Sequence, residues 1–209
     1  YENENGAGPY NGPIWYVDGT NDFPYANGAP GSPYFTIAQG ISSASDGETV
    51  SVAAGTYVEN INFNGKNIAI IGEDPETTII DGNQSERVVS FLNGETSSAL
   101  LENFTLTNGL GGLVISNSSP TLNRLRIMGN STDSHGGGIN LFNSSSKISN
   151  VLIANNTGDQ GSGLNIDQSH PQISNTNIVN NYGSGGILVN AGSTPDFVNC
   201  VLGNNQGDE

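Results

Sequence analysis

Short stretches in which apolar and polar residues alternate recur through the second half of this chain. Five equivalent positions mark them, in steps of 21, 26, 25 and 24 residues: Asn103, Arg124, Asn150, Asn175 and Asn199. A second set of apolar stretches follows the first, each beginning at a glycine: Gly112, Gly138, Gly163 and Gly186. Such alternation is typical of β-strands, and a repeat of this length indicates a solenoid. We therefore predict an all-β fold, a single-stranded parallel β-helix of about seven coils with roughly 23 residues each.

The recurring asparagines fit a turn between two strands of each coil. Equivalent residues of neighbouring coils stack about 4.8 Å apart, so amides in one column can hydrogen-bond along the axis. The sequence therefore predicts an asparagine ladder that is broken once, at Arg124. Cys200, the single cysteine, lies in the next column along and is predicted to be a small core residue.

Residues 1–34 lack this alternation and carry Gly, Pro or Asn every few positions, so we expect an irregular segment packed on the solenoid of residues 35–209. Eight of the fifteen aromatic residues lie within residues 1–35. Their rings are expected either to be buried against the first coils or to form a platform on which sugars stack. The turn from Asp18 to Asp22 brings two carboxylates together, which suits a Ca²⁺ site, although the same residues also simply favour turns.

A short helix is predicted over residues 36–46. Thr36 and Gln39 have the spacing of a capping box, and Ile37, Ile41 and Ala44 share one face. The first coil of a solenoid would otherwise leave its core and strand edges open, so we assign this helix as the N-terminal cap. The C-terminal end has no equivalent cap, which predicts that the solenoid continues there or is covered by a neighbour.

Several phrases between residues 35 and 82 resemble a known scaffold. They are Phe35-Thr-Ile-Ala, Gly47-Glu-Thr-Val-Ser-Val-Ala-Ala-Gly-Thr-Tyr57-Val-Glu59, Asn67-Ile-Ala-Ile-Ile-Gly72 and Thr78-Ile-Ile-Asp-Gly82. With the later repeats, they make most of residues 14–205 resemble the right-handed parallel β-helix proteins of the pectate-lyase-like superfamily. The N-terminal part is similar to pectin methylesterases and to secreted bacterial β-helix repeat proteins. The resemblance implies a right-handed solenoid, but it does not fix an activity, because these phrases belong to the scaffold.

Charge and hydropathy limit the classes of partner that this chain is expected to bind. The formal net charge is −15 and only five residues are Lys or Arg. Nucleic acids and anionic membrane surfaces are bound through cationic side chains, so neither is an expected partner. No stretch of 18 apolar residues is present, which predicts no membrane insertion. The sequence starts at Tyr1 rather than Met, as a mature protein does after removal of a signal peptide, so we expect a secreted or cell-surface protein.

Polysaccharide lyases, hydrolases and esterases are among the relatives that the resemblance implies. A lyase needs a basic residue, and Arg124 and Arg126 face outward from one strand, where a solvated role accounts for them. Hydrolases and esterases need paired carboxylates, whereas the repeat strands carry isolated acids. We therefore predict a non-catalytic domain for carbohydrate binding, adhesion or extracellular assembly. The alternative is a lyase, hydrolase or esterase, or the N-terminal part of one, acting on acidic polysaccharide.

Two surfaces are candidate sites. The loops at residues 130–135, 156–160 and 181–184 vary between repeats and stack on one edge, where solenoids commonly bind ligands. Five residues there are predicted to present hydrogen-bonding groups and one ring to a sugar, unless the loops are simply solvated: Asp133, His135, Asp159, Gln160 and Tyr182. Alternation also places an apolar set on an outer face, which predicts cover by another domain or subunit: Met128, Leu152, Ala154, Val179 and Val201.

Overall fold

The computed structural model describes residues 10–21 and 25–206. The elements of the first part are β1 (Ile14–Val17), α1 (Ile37–Ser43), β2 (Thr49–Val52), β3 (Gly55–Val58), β4 (Ile61–Asn62), β5 (Ala69–Gly72), β6 (Thr78–Asp81), β7 (Val89–Phe91), β8 (Leu100–Thr107), β9 (Leu113–Ser116) and β10 (Thr121–Met128). Those of the second part are β11 (Ile139–Phe142), β12 (Lys147–Ser149), β13 (Leu152–Ala154), β14 (Thr157–Gln160), β15 (Leu164–Asp167), β16 (Gln172–Ser174), β17 (Asn177–Val179), β18 (Tyr182–Ser184), β19 (Ile187–Val189), β20 (Asp196–Val198) and β21 (Val201–Gly203).

Each coil runs through a first strand, a bend, a second strand, a loop and a third strand. First strands stack in the order β1-β2-β5-β8-β10-β12-β16-β20, and third strands in the order β4-β7-β9-β11-β15-β19. The second strands are β3, β6, the later parts of β8 and β10, β13, β17 and β21. They belong to the same sheet as the first strands, because β8 and β10 each run through the bend. From Thr49 to Asp196 the parallel register advances by 20, 31, 21, 26, 25 and 24 residues. These six complete turns, followed by the strands β20 and β21 of a seventh, confirm the predicted all-β solenoid.

The core is a set of stacked apolar rows, because alternate residues of every strand point inward. On the first strands, Leu101, Leu122, Ile148 and Ile173 lie in register and are at most 1% exposed. The column that begins at Phe104 continues inward beyond the bend, and Cys200 packs against the core at its end as predicted. Because each coil needs few apolar residues to continue these rows, a chain that is only 34% hydrophobic still forms a core.

The recurring positions of the sequence form the bend between first and second strands. All five have positive φ, between 49° and 64°: Asn103, Arg124, Asn150, Asn175 and Asn199. Asparagine tolerates this left-handed conformation better than most residues, so the backbone accounts for its repetition. The ladder predicted for this column is wrong for most of it. Asn199 Nδ2 donates to Asn175 Oδ1 at 2.7 Å, whereas Asn103 and Asn150 bond to other partners and Arg124 has no amide.

A different column of asparagines is buried where the second strands end, and the sequence analysis missed it. This buried asparagine row consists of Asn130, Asn156, Asn181 and Asn205. Each Nδ2 donates to a carbonyl of the preceding coil's second strand, and the first three also donate to Oδ1 of the next asparagine, at 2.8–3.1 Å. Asn130, Asn156 and Asn181 are at most 1% exposed. Buried amides that are satisfied in this way tie neighbouring coils together.

The N-terminal segment is less irregular than predicted. β1 pairs in parallel with β2, so the sheet begins one strand before the helix. Trp15 and Val17 point inward like the core residues of later coils and are 8% and 1% exposed. The Trp15 ring stacks on Tyr34, with 6.1 Å between ring centroids, and its Nε1 donates to Glu48 Oε2 at 2.8 Å. The burial of this ring is what adds a strand to a segment that lacks an alternating pattern.

The predicted helix forms over Ile37–Ser43 and is shorter than residues 36–46, because Ala44 already has an extended backbone with ψ of 143°. The capping box is present, since Thr36 Oγ1 accepts from the Gln39 N–H and Gln39 Oε1 accepts from the Thr36 N–H. No helix among the described residues has the length and hydropathy that crossing a membrane requires.

Ionic side chains of the first coil hold both ends of α1. The Glu59 carboxylate accepts from the first two helical N–H groups, at 2.8 and 3.0 Å. Lys66 Nζ donates to the carbonyls of Ile41, Ser42 and Ala44, at 2.6 to 3.0 Å. A carboxylate at the N-terminus and an ammonium at the C-terminus both complement the helix dipole. Glu59, the last residue of the Gly-Thr-Tyr-Val-Glu59 phrase, therefore docks the helix on the first coil.

The last coil exposes side chains that are buried elsewhere in the solenoid. Phe197 and Leu202 lie in register with Ile173 and Ile178, which are 1% and 0% exposed. Phe197 is nevertheless 37% exposed and Leu202 56% exposed, because no later coil among the described residues lies over them. This end of the solenoid presents open strand edges and apolar side chains together.

Candidate functional site

The loops at residues 130–135, 156–160 and 181–184 stack on one edge of the solenoid, here called the loop edge. β14 and β18 form a small parallel sheet there, and His135 bridges to Gln160. Backbone hydrogen bonds join the Asp159 N–H to the Ser134 carbonyl at 3.0 Å and the Tyr182 N–H to the Asn156 carbonyl at 2.8 Å. The buried asparagine row supplies a residue at the start of each loop, so the loops are fixed from below.

All five predicted ligand-binding residues are exposed on the loop edge. His135 and Gln160 are neighbours in adjacent coils, and Asp159 bonds through its backbone to the residue after Asp133. Tyr182 lies opposite Thr157, one coil further along, and is 45% exposed. Carboxylates and an amide accept or donate hydrogen bonds to hydroxyl groups, and an exposed ring offers an apolar face to a sugar.

Arg87 supports the loop edge and was not singled out from the sequence. Its guanidinium reaches two coils forward and donates to the carbonyls of His135 and Gly136, at 2.8 and 2.5 Å. Burial lowers the pKa of Arg87 to about 10. Gly111 has a φ of +92°, and a Cβ there would lie 2.3 Å from the Arg87 Nη1 atom. Any larger residue at this position would clash with the guanidinium, so glycine is required here.

The predicted apolar set on the outer face divides into two rows. Leu152 and Val201 belong to a row that also contains Arg126 and Asn177, and the polar Asn177 lies between them. Met128, Ala154 and Val179 form a continuous apolar row beside the loop edge. Ala154 is only 4% exposed, contrary to the expectation of an exposed side chain. Its single methyl group lies between the longer side chains of two adjacent coils, which shield it from water.

Two grooves follow the outside of the bend. The N-terminal groove has a volume of about 360 Å³ and is lined by residues that include Tyr16, Asp18 and Glu73. The second, here called the arginine groove, has a volume of about 420 Å³. Its lining combines guanidinium groups, amides and apolar side chains: Pro75, Arg124, Leu125, Arg126, Asn150, Val151, Leu152, Asn175 and Asn177. The turn at residues 73–77 separates the two, and Thr105 Oγ1 donates to its Pro75 carbonyl.

The two arginines of the second groove have different surroundings. Arg126 Nη1 pairs with Glu76 Oε1 at 2.6 Å, which is the only ion pair within the described ranges. Arg124 is exposed and forms no side-chain hydrogen bond or ion pair with any described residue. The groove therefore carries one guanidinium whose charge no carboxylate of the described chain compensates.

The outer face of the third strands carries little acid–base chemistry. Its paired outward positions are Asn62, Ser90, Val114, Asn140, Asn165 and Leu188, with Ser116, Phe142 and Asp167 two residues further on. Asn165 Nδ2 donates to Asn140 Oδ1 at 2.8 Å. Asp167 is the only carboxylate at these paired positions, whereas glycoside hydrolysis needs two.

Of the two carboxylates predicted to bind Ca²⁺, Asp18 is described by the structure and Asp22 lies outside the described residues. Asp18 Oδ1 accepts from the backbone N–H and the hydroxyl of Thr20, at 2.9 and 2.7 Å, which is the geometry of a turn. Among residues 10–21 and 25–206, no group of three or more His, Cys, Asp or Glu side chains could hold a metal ion. The observed bonds of Asp18 are thus explained by the local turn.

Comparison with known proteins agrees with this architecture. The sequence pattern of the right-handed beta helix region matches residues 80–208. A pectin methylesterase solved in complex with a hexasaccharide is 13% identical, with a TM-score of 0.61 over 94% of this chain and 67% of that chain. The pectin methylesterase of Aspergillus niger is 16% identical over 96% of this chain and 87% of that chain, with a TM-score of 0.30. None of the curated proteins compared with this chain matches it.

The family match covers more than half of the 209 residues. It also gives the hand of the solenoid, as the resemblance of residues 14–205 to the pectate-lyase-like superfamily implied. The chain belongs to the right-handed parallel β-helix family.

Proposed function

We propose that this chain is a non-catalytic carbohydrate-binding domain that acts outside the cell or on its surface. The ligand lies along the loop edge, where Asp133, His135, Asp159 and Gln160 bond its hydroxyl groups and Tyr182 stacks on a sugar ring. The observation that carries the proposal is the small sheet of β14 and β18, which fixes exposed polar side chains and a ring in successive coils.

Pre-organisation is the physical reason for preferring this edge. Its backbone is bonded from coil to coil, and Arg87 and the buried asparagine row hold it from two further directions. Binding then requires little ordering of the loops. The entropy lost in such ordering is what limits the affinity of mobile sites. The spacing of about 4.8 Å between coils also gives an extended oligosaccharide equivalent contacts along the axis.

The comparisons support the ligand class only in broad terms. The pectin methylesterase that shares the fold was solved with a bound hexasaccharide. A carbohydrate is therefore the first ligand class to test, while the scarcity of outward carboxylates on the third strands favours binding over turnover.

The row of Met128, Ala154 and Val179 gives the domain a second surface for adhesion or assembly. It lies next to the loop edge, and its partner is another domain or subunit with an apolar face.

A glycan array followed by calorimetry tests the proposal. H135A and Y182A should each weaken binding about tenfold. Y25A is the matched control, because Tyr25 is 76% exposed in the N-terminal segment and should leave the affinity unchanged. Loss of binding in Y25A alone would favour the alternative sugar platform at the N-terminal aromatics. Release of reducing ends, unsaturated products or methanol from an acidic polysaccharide would contradict the non-catalytic assignment.

A further inference from the structure

The five basic residues of this acidic chain have distinct roles. Lys66 caps α1, Arg87 holds the loop edge, and Lys147 is exposed on the first strands. Arg124 and Arg126 are the other two, and both line the arginine groove. In a protein with a formal net charge of −15, this groove concentrates two of the five cationic side chains.

Arg124 occupies a backbone position that does not suit it. Its φ is 50°, and the other positions of the same column at the bend are asparagines. An arginine in this conformation is strained, and it also removes the amide that could bond to neighbouring coils. Its side chain forms no hydrogen bond or ion pair with the described residues, so no polar contact within the fold accounts for the arginine. Its side chain is therefore available to a ligand.

The lining of the groove defines the ligand. A guanidinium donates two parallel hydrogen bonds to a carboxylate or sulfate, which a neutral amide cannot match in strength. Asn150, Asn175 and Asn177 add donors and acceptors suited to hydroxyl groups, and Pro75 and Leu152 add apolar contact. A volume of about 420 Å³ is within the usual size of small-ligand sites.

We infer that the arginine groove is a binding site for an oxyanion, a carboxylate or a sulfate ester, carried on a hydroxylated sugar ring. Arg124 makes the bidentate contact and Arg126 adds a second positive charge. Sequence and structure together carry the inference, because the charge, the strained backbone and the amide lining meet at the same place.

Glu76 shows what such a ligand would meet. Its carboxylate already occupies Arg126 Nη1 at 2.6 Å, although 73% of its side chain is exposed. It stands where a ligand carboxylate would bind and competes with it. Removing the negative charge of Glu76 should therefore strengthen binding of an anion. An ion pair that plays no part in binding would leave the affinity unchanged.

This site is distinct from the loop edge. The second strands separate the two, and β13 is three residues, or about 10 Å, in length. The inference therefore does not rest on the proposed function, and either can fail without the other.

Calorimetry with three tetrasaccharides tests the groove: β-1,4-linked glucuronate, sulfated cellotetraose and neutral cellotetraose. One or both charged probes should bind. Binding of one alone identifies carboxylate or sulfate as the group recognised, and binding of both shows that the groove accepts either oxyanion. R124N and R126Q should each weaken that binding about tenfold, and E76Q should strengthen it. K147Q removes the same charge outside the groove and should leave the affinity unchanged. All titrations are made in the H135A–Y182A background, so that any binding at the loop edge does not contribute.

R124N also guards against a folding artefact. Asparagine suits the backbone of the bend, so this variant should have a higher melting temperature than the wild type while binding the charged probe more weakly. Equal binding of all three tetrasaccharides, no binding of any, or an unchanged affinity in R124N would each overturn the inference.

Discussion

Two columns of asparagine turn the chain at the two ends of each second strand, and they do so for different reasons. At the bend, Asn150 and Asn175 are exposed and are selected by a positive φ. At the loop corner, where each second strand ends and its loop begins, Asn156 and Asn181 are buried and are selected by their side-chain hydrogen bonds. Asparagine is therefore used for its tolerance of positive φ in one column and for its side-chain hydrogen bonds in the other.

The loop corner combines both kinds in adjacent positions. Asn155 and Asn180 have φ of 55° and 54°, and each directly precedes a member of the buried asparagine row. The first residue of each pair turns the backbone and the second bonds to the next coil. The bend uses a single residue, whose amide has a different partner from coil to coil. No shared side-chain bond requires asparagine there, which is why Arg124 can occupy the position.

Asn156→Ala should have the largest effect on stability. The side chain donates to the Ile127 carbonyl and Asn181 Oδ1, and accepts from the backbone and side chain of Asn130. Leaving these buried partners unsatisfied should cost about 3 kcal/mol or more in the free energy of unfolding. Urea denaturation measures the loss, and a change below 1 kcal/mol would show that the row is not a structural element.

Arg87→Met should have the next largest effect, because it removes a charged donor from the carbonyls of His135 and Gly136. A loss of about 2 kcal/mol is expected. Hydrogen exchange should also become faster at residues 130–136 and remain unchanged at the bend. Equal protection of the loop in the variant would argue against Arg87 as its support.

Asn150→Ala should cost about 1 kcal/mol, since alanine is disfavoured at positive φ. Asn150→Gly is the matched variant, because glycine tolerates this backbone and should be close to the wild type. If the two variants are equally destabilised, the amide contact of Asn150 with Asn123, rather than the backbone, determines the choice of residue at the bend.

The smallest expected effect is on pH dependence, because asparagine does not titrate in either column. Hydrogen bonds from the Trp15 indole and from the Ser45 backbone lower the pKa of Glu48 below its ordinary value of 4.5. A lowered folded-state pKa means that this carboxylate stabilises the fold above pH 4.5 and that its contribution is lost as the pH falls below that value. Glu48→Gln should flatten the acid limb of the stability curve, whereas Asn156→Ala should lower the whole curve without changing its shape.

Local patterns in the sequence were enough for the coils. Alternation identifies which residues point inward on the strands, and the capping box at Thr36 identifies the helix. Both depend on neighbours within four residues, where backbone preference decides the outcome. Asn103 and its equivalents were wrongly predicted to form a ladder of stacked amides. Spacing along the chain does not reveal whether a side chain faces inward at a bend.

The sequence alone determined a parallel solenoid, its turn positions and its N-terminal helix, because these follow from alternation, φ preference and period. Only the tertiary structure decided which asparagines are buried, how the apolar outer set divides and where Arg87 reaches. These features depend on coil-to-coil register, which advances by unequal steps of 20 to 31 residues. Contacts between coils join residues about 50 positions apart in the case of Arg87 and Gly136, beyond the reach of any local pattern.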